Sequence, residues 1–148
     1  MPPLDLSPAR REEFDAIAEL LNAAGLPVED LNVAMLDDFV VATEDGVCVG
    51  VVGLEIFGSH ALLRSLAVGT EHRSRGLGAM LVDAIETAAR ARGVAALYLL
   101  TTTAAEFFER LGYTAHDRGT VPPSIVATTE FSSLCPDNAD CLWRDLSS

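Results

Sequence analysis

A chain of 148 residues is the size of one domain and is long enough to bury a core of its own. Hydrophobic residues make up 49% of it, which excludes a mainly disordered chain. Aspartate and glutamate number 22 against 10 basic residues, all of them arginine, for a formal net charge of -12. Nucleic acids and anionic membranes need clustered cations, so neither is an expected partner. The acidic, lysine-free composition fits a coding bias or a salt-rich host, and both stay open.

The chain shows no run of apolar residues long enough to cross a bilayer, and Met1-Pro2-Pro3 does not open a signal peptide. We therefore expect a cytoplasmic protein. The three cysteines, Cys48, Cys135 and Cys141, are an odd number and too few for a disulfide scaffold, so reduced thiols are expected. Cys135 and Cys141 lack metal-site spacing and have no histidine nearby, so we expect no metal.

The first half of the chain is predicted to hold one helix and four strands. Ser7 reads as a helix N-cap with Pro8 at the first helical position, and Gly25 ends that helix. Further on, Asp45-Gly46 and Gly58-Ser59 are tight turns that join three antiparallel strands. The four strands are predicted over residues 4–6, 39–43, 47–57 and 60–68.

The second half begins with a predicted helix over Gly76–Arg92, followed by the fully apolar strand Val94–Leu100, a pattern typical of a strand buried on both faces. Thr103–Glu106 reads as a capping box for a short helix. Two last strands are predicted over residues 113–117 and 141–146. The segment Arg118–Asp140 between them is long for a compact domain, which suggests a functional role. The outcome is one mixed α/β domain over residues 1–148.

The most informative stretch is Arg73-Ser74-Arg75-Gly76-Leu77-Gly78-Ala79. Its two glycines let the backbone turn tightly and approach a ligand, and the helix behind them points its positive end at the same place. Arg73 and Arg75 add positive charge, so the stretch predicts a seat for phosphate or pyrophosphate. A P-loop would need a lysine, and a dinucleotide fingerprint would need a third glycine; both are absent.

Arg73 to Ala79 matches the Arg-x-x-Gly-x-Gly/Ala pattern of GNAT acyltransferases at every defined position. Ala104 to Tyr113 resembles the second GNAT motif, Ala-x-x-Phe-Tyr-x-x-x-Gly-Phe. The order of predicted elements also fits, so the resemblance covers essentially the whole chain. It implies an α/β (α+β) fold with a mixed, mostly antiparallel sheet of six to seven strands flanked by about four helices. It also implies acetyl-CoA as the acyl donor.

Three further stretches resemble the GNAT proteins encoded in arsenic-resistance operons. They are Leu62–Val68, Tyr98–Ala104 and Thr129–Pro136. Those proteins are similar to acetyltransferases that detoxify amino-acid-like phosphinic or arsenic compounds, including phosphinothricin and arsinothricin. The resemblance therefore implies a small, anionic, amino-acid-like amine as acceptor, without naming one molecule.

The resemblance also implies where acetyl-CoA binds. The main chain of Leu66, Ala67 and Val68 would hold pantetheine, and an amide near Val68 would polarise the thioester carbonyl. Thr101 stands where many GNAT proteins have an asparagine near the pantetheine arm, although capping is the commoner role of such a threonine. Phe108 stands where the family often has a proton-donating tyrosine. The pyrophosphate would bind the amides of Arg73, Ser74, Arg75, Gly76, Leu77, Gly78 and Ala79.

Phenylalanine at position 108 cannot donate a proton to the departing thiolate, so the usual general acid is missing. Water could take over at some cost in rate, since general-acid help is worth about 10²–10⁴-fold. Tyr98, Tyr113 and Cys135 are other candidates. Tyr113 stands at a position that is normally aromatic for packing.

Glu55 is the best candidate for the catalytic base. The turn at Gly58-Ser59 places Glu55 opposite Leu62, on the face that also carries Arg64 and Leu66. Charged residues inside two apolar strands are costly unless they are paired or functional. Two interpretations stay open: a structural Glu55–Arg64 ion pair, or a base that acts through water while Arg64 binds an anionic group of the acceptor.

The leading hypothesis is an acetyl-CoA-dependent N-acetyltransferase for a small-molecule amine. The alternative is a non-catalytic GNAT-fold module that senses acyl-CoA or an arsenical, and the missing tyrosine at Phe108 favours it. A third is a thiol-based arsenic carrier that uses Cys135 and Cys141. Whether the chain forms a homodimer is left open.

Overall fold

The computed structural model describes residues 4–26, 28–72, 76–128 and 139–147. Its strands are β1 (Leu4–Pro8), β2 (Phe39–Glu44), β3 (Val47–Phe57), β4 (His60–Val68), β5 (Ala96–Thr101), β6 (Thr114–Ala115) and β7 (Asp140–Asp145). The α-helices of the described residues are α1 (Phe14–Ala23), α2 (Leu77–Ala91), α3 (Ala105–Arg110) and α4 (Pro123–Val126). The strands form one sheet in the order β1-β2-β3-β4-β5-β7-β6. This confirms the expected mixed sheet and its flanking helices.

The sheet is mostly antiparallel. β1 with β2, β2 with β3, β5 with β7 and β6 with β7 are antiparallel pairs, whereas β4 and β5 run parallel. The bounds of β3 and β4 are those predicted, because the turns between strands need residues that accept a positive φ. Asp45 and Gly46 have φ of 53° and 78°, and Gly58 has φ of 65°.

The contacts divide the chain into two compact units. The first comprises Met1–Leu54 and Ser65–Ala88, and the second comprises Glu55–Arg64 and Ala89–Ser148. In the first unit, α1 buries Ile17 and Leu21 completely against a core that also holds Leu36, Phe39 and Val51. The spacing of Ile17 and Leu21 is that of one helix face, as the sequence predicts.

The predicted start of α1 is wrong. Ser7 and Pro8 belong to β1, where they pair with Val41 and Val40. Proline is tolerated there because β1 is an edge strand and the missing N–H removes no necessary ladder bond. The helical turn begins later, where the backbone N–H of Arg10 donates to Glu13 Oε1 at 2.8 Å. A 3-10 turn over Arg11–Glu13 then leads into α1.

In the second unit, the backbone of β5 pairs with that of β7 along its whole length, from Ala96 with Asp145 to Thr101 with Asp140. The first four residues of β5 are buried, as expected of a strand covered on both faces. Val121 and Ile125, from the long segment after β6, pack on the cluster that holds Tyr98. None of the helices in the described ranges is long and apolar enough to span a membrane.

Candidate functional site

The expected pyrophosphate-binding stretch is described from Gly76 onward; Arg73, Ser74 and Arg75 lie outside the described residues. Gly76 has φ of 76° and its carbonyl accepts the N–H of Met80 at 3.1 Å, which closes the first turn of α2. Leu77 is buried in the core, while Gly78 and Ala79 are half-buried. A helix of 15 residues therefore begins at the place where the expected anion site would need the positive end of a helix.

The strand before that stretch carries an unusual residue. Ser65 lies inside β4 with φ of 61°, in the left-handed region that residues other than glycine rarely adopt. It is 8% exposed and directly precedes Leu66, Ala67 and Val68, the expected pantetheine-binding strand. A left-handed residue within a strand re-aims the backbone groups beside it, and such strain concentrates at functional sites. Serine gives no sequence signal for this conformation.

The parallel pairing of β5 with β4 is short. It comprises His60 with Ala96, Ala61 with Leu97 and Leu62 with Tyr98. β5 runs on to Thr101, and beyond Tyr98 its described ladder partners are those on β7. Main-chain groups of β5 on its other side are thus left without a ladder partner in the described pairing, and such groups can bind an extended ligand.

Glu55 and Arg64 are in contact, as the hairpin register predicts. Arg64 Nη1 donates to Glu55 Oε2 at 2.9 Å. The Arg64 side chain is completely buried, while the Glu55 side chain keeps 21% of its surface exposed. The pair is therefore one carboxylate that solvent can reach and one guanidinium that it cannot. Desolvating the guanidinium is costly, and the charge-assisted hydrogen bond offsets that cost.

Thr101 shapes the turn that leads into α3. Its Oγ1 accepts the N–H of Ala104 at 2.9 Å and that of Thr103 at 3.4 Å. The capping box predicted over Thr103–Glu106 does not form, because Ala104 is the residue before the helix and no side chain caps it. The hydroxyl of Thr101 satisfies these amides instead, so the capping role that its residue type suggested is the one with a described contact.

Phe108 is a core residue here. It is 4% exposed, and its ring meets that of Tyr113 edge-on with centroids 5.4 Å apart. Tyr113 is itself 1% exposed, which fits the packing role predicted for it. A phenylalanine offers no proton, so the position that carries the family's tyrosine serves packing in this chain.

A cluster of aromatic rings around Tyr98 was not found from the sequence. Its members come from β4, β5, β7 and the residue after β6, so chain spacing gives no signal. Tyr98 stacks on Trp143 at 5.8 Å and meets His116 edge-on at 5.2 Å and His60 at 6.1 Å. Burial raises the pKa of the Tyr98 phenol above its ordinary value.

The cysteines of the described residues are packed. Cys141 is buried and Cys48 is half-buried with Sγ 3.5 Å from the carbonyl of Gly50. Burial raises the pKa of both thiols. The third stretch of the arsenic-resistance resemblance, Thr129–Pro136, lies entirely outside the described residues, and Cys135 with it. In the described ranges, no group of three or more histidine, cysteine, aspartate or glutamate side chains could hold a metal ion.

Proteins of known sequence are similar to part of this chain. An amino-acid acetyltransferase of Pseudomonas fluorescens (strain Pf0-1) is 38% identical over 80 residues, which are 53% of this chain and 18% of that protein. An uncharacterized N-acetyltransferase of Chlorobaculum tepidum is 34% identical over 89 residues, 60% of this chain and 57% of that protein. The chain thus spans less than two thirds of the length of each of these relatives.

Solved structures share the fold. N-acetylglutamate synthase of Neisseria gonorrhoeae, in complex with coenzyme A and N-acetyl-glutamate, superposes with a TM-score of 0.86 at 22% identity, over 100% of this chain and 36% of that one. Rv2747 of Mycobacterium tuberculosis, also in complex with CoA, gives 0.80 at 22% identity, over 95% and 98%. The family model described as acetyltransferase (GNAT) domain matches residues 36–115, more than half of the chain. The chain belongs to the GNAT acetyltransferase family.

Proposed function

We propose that this protein is an acetyl-CoA-dependent N-acetyltransferase that modifies the amino group of a small, anionic, amino-acid-like molecule in the cytoplasm. The observation that carries the proposal is the family match over residues 36–115, which includes β4, the glycine stretch and α2. The relatives named as amino-acid acetyltransferases support an amino acid as the class of acceptor. The arsenic-resistance resemblance extends this class to phosphinic and arsenic analogues.

The backbone carries most of the donor site in this proposal. The amides at the start of α2, with Gly76 and Gly78, bind the pyrophosphate of CoA, and Arg73 and Arg75 add charge. The main chain from Leu66 to Val68 binds pantetheine. The left-handed Ser65 supports this role, because it changes the direction of the strand directly before those residues. Bound acetyl-CoA supplies the activated acetyl thioester.

Glu55 is the proposed base. N-acetylation needs a neutral amine, and a carboxylate that keeps part of its surface in solvent can remove the ammonium proton through a water molecule. Because the side chain of Arg64 is completely buried, we do not expect it to bind the acceptor. We propose that Arg64 is a positioning residue that holds Glu55 in place, so the acidic group of the acceptor needs another cation.

The departing thiolate needs a proton that Phe108 cannot give. Tyr98 is our candidate donor, because a phenol is protonated at neutral pH and the other tyrosine of the chain, Tyr113, packs on Phe108. Its phenol would lose a proton to the thiolate and regain it from solvent. Tyr98→Phe should lower kcat, and rescue of the rate by small phenols would support proton donation over packing.

The test is release of free CoA from acetyl-CoA, measured over glutamate, other amino acids, phosphinothricin and arsinothricin. We expect turnover with at least one anionic amino acid. Glu55→Gln should lower kcat by about 10²-fold, the lower end of general-base catalysis, and leave the KM for acetyl-CoA unchanged. Glu106→Gln, which alters an exposed glutamate of α3, is the matched control and should behave as wild type. Unchanged turnover in Glu55→Gln would remove Glu55 from the mechanism.

A second function has one observation in its favour, the buried phenylalanine at position 108. A GNAT-fold module that senses acyl-CoA or an arsenical needs the donor site without a general acid. Binding of acetyl-CoA with no CoA released on any amine would support that module. The thiol-carrier hypothesis is weakened, because Cys141 is buried and its raised pKa keeps it a thiol.

A further inference from the structure

His72 is a buried histidine that directly precedes Arg73, the first residue of the expected pyrophosphate-binding stretch. It is 7% exposed and ends the 3-10 turn Thr70–His72. The backbone N–H of His72 donates to the carbonyl of Gly69 at 2.8 Å, and the N–H of Gly69 donates to the carbonyl of Val49 at 2.8 Å. The turn is therefore fastened to β3 through its main chain.

The imidazole ring of His72 is also held in place, by a side-chain contact. His72 Nε2 lies 3.1 Å from Glu44 Oε2, and Glu44 is the last residue of β2. The two side chains are only 9% and 21% exposed. A hydrogen bond to a carboxylate is stronger than one between neutral groups, and partial burial strengthens it further. The residue that leads into the glycine stretch is thus held by its backbone and by its ring.

We propose that Glu44 and His72 set the position of the pyrophosphate-binding stretch. Glu44 holds the His72 ring, and His72 ends the turn that directly precedes this stretch in the sequence. Both are positioning residues, since this role needs no contact with the cofactor. The proposal rests on the proposed function, because it takes the pyrophosphate of CoA as the ligand.

The test compares CoA with a ligand that lacks its pyrophosphate and its nucleotide. Binding of CoA and of S-acetylpantetheine, which ends before the pyrophosphate, is measured by calorimetry for wild type, Glu44→Gln, His72→Gln and the double variant. We expect each single variant to bind CoA about tenfold more weakly, the effect of one lost charge-assisted hydrogen bond. Affinity for S-acetylpantetheine should stay unchanged. The double variant should lose about as much affinity for CoA as the more strongly affected single variant, because both changes remove the same contact.

Two controls separate positioning from general stability. Asp37→Asn makes the same carboxylate-to-amide change at the exposed Arg11–Asp37 pair of the same unit and should leave both affinities unchanged. Thermal unfolding shows which variants are folded. If Glu44→Gln is not, Glu44→Asp, which keeps the charge and shortens its reach, should show the same selective loss. In steady state the KM for acetyl-CoA should rise with kcat retained.

The proposal is overturned if folded variants bind CoA as wild type does. It is also overturned if they lose CoA and S-acetylpantetheine to the same extent, because that pattern indicates a general structural role. A wild-type protein that binds no CoA would instead refute the proposed function, and this inference with it. If wild type binds CoA and the folded variants bind it equally well, this inference alone is refuted.

Discussion

Arg64 Nη1 lies 2.9 Å from Glu55 Oε2, and the two partners differ sharply in exposure: the arginine side chain has none, the glutamate side chain 21%. The pair is thus unequal in what each partner loses when the other is removed. A buried guanidinium without its carboxylate stays desolvated, whereas a partly exposed carboxylate can turn to water. This inequality links the stability of the second unit to the residue proposed as its base.

Replacing Glu55 with alanine should lower the free energy of unfolding by about 3 kcal/mol, the lower end of the range for breaking a buried ion pair. Glu55→Gln should lower it less, because the amide oxygen can still accept from Arg64. Urea unfolding of both variants at equal ionic strength measures the difference. Equal losses in the two variants would contradict the view that the buried guanidinium sets the cost.

Local chemistry explains which parts of the fold could be predicted. The bounds of β3 and β4 follow from turns whose residues accept positive φ, and Gly76 marks the start of α2. The helix start predicted at Ser7 and Pro8 was wrong because proline suits an edge strand as well as a first helical turn. The Glu44–His72 contact could not be predicted, since its partners come from separate elements and neither belongs to a motif. The contact of Glu55 with Arg64 was predictable from the hairpin, but the complete burial of Arg64 was not.

Ser65 offers a test of the strained strand. Its φ of 61° is accessible to glycine and asparagine but strained for a β-branched residue. Ser65→Val should therefore lower the free energy of unfolding by about 2 kcal/mol and weaken acetyl-CoA binding. Ser65→Asn should keep both nearer to wild type. Thermal unfolding and calorimetry check the pair, and a Ser65→Val variant with wild-type binding would separate this conformation from the donor site.

Cys141 should react slowly with iodoacetamide in the folded protein. Its burial raises the pKa of the thiol, so the thiolate is scarce at neutral pH. Because the folded pKa lies above the unfolded one, the native state should lose stability as the pH rises through the ordinary thiol range and beyond. Mass spectrometry of alkylated peptides, with and without urea, measures the protection. Fast labelling of Cys141 in the native state at pH 7 would revive the thiol-carrier hypothesis.

Two substitutions at Thr101 can distinguish a capping role from a cofactor-binding role. Thr101→Val removes the oxygen that accepts from Ala104 and Thr103, so it should lower the free energy of unfolding by about 1 kcal/mol, as loss of a cap does. Thr101→Ser keeps the hydroxyl and should stay near wild type. If capping is the whole role, the KM for acetyl-CoA is the same in both variants. A rise in that KM for Thr101→Val without loss of stability would instead assign the hydroxyl to pantetheine.

Phe108→Tyr returns a phenol to the position where the family often carries one. We expect kcat to rise by about tenfold at most, because a general acid contributes about 10²–10⁴-fold and the proposed donor Tyr98 already supplies part of that help. The same change should lower stability, since Phe108 is 4% exposed and packs on Tyr113, so the new hydroxyl enters an apolar place. Steady-state kinetics with acetyl-CoA and urea unfolding measure the two effects, with Phe107→Tyr on the neighbouring ring as control. A stable Phe108→Tyr protein with unchanged kcat would show that proton transfer to the thiolate does not pass through this position, which leaves Tyr98 as the residue to test.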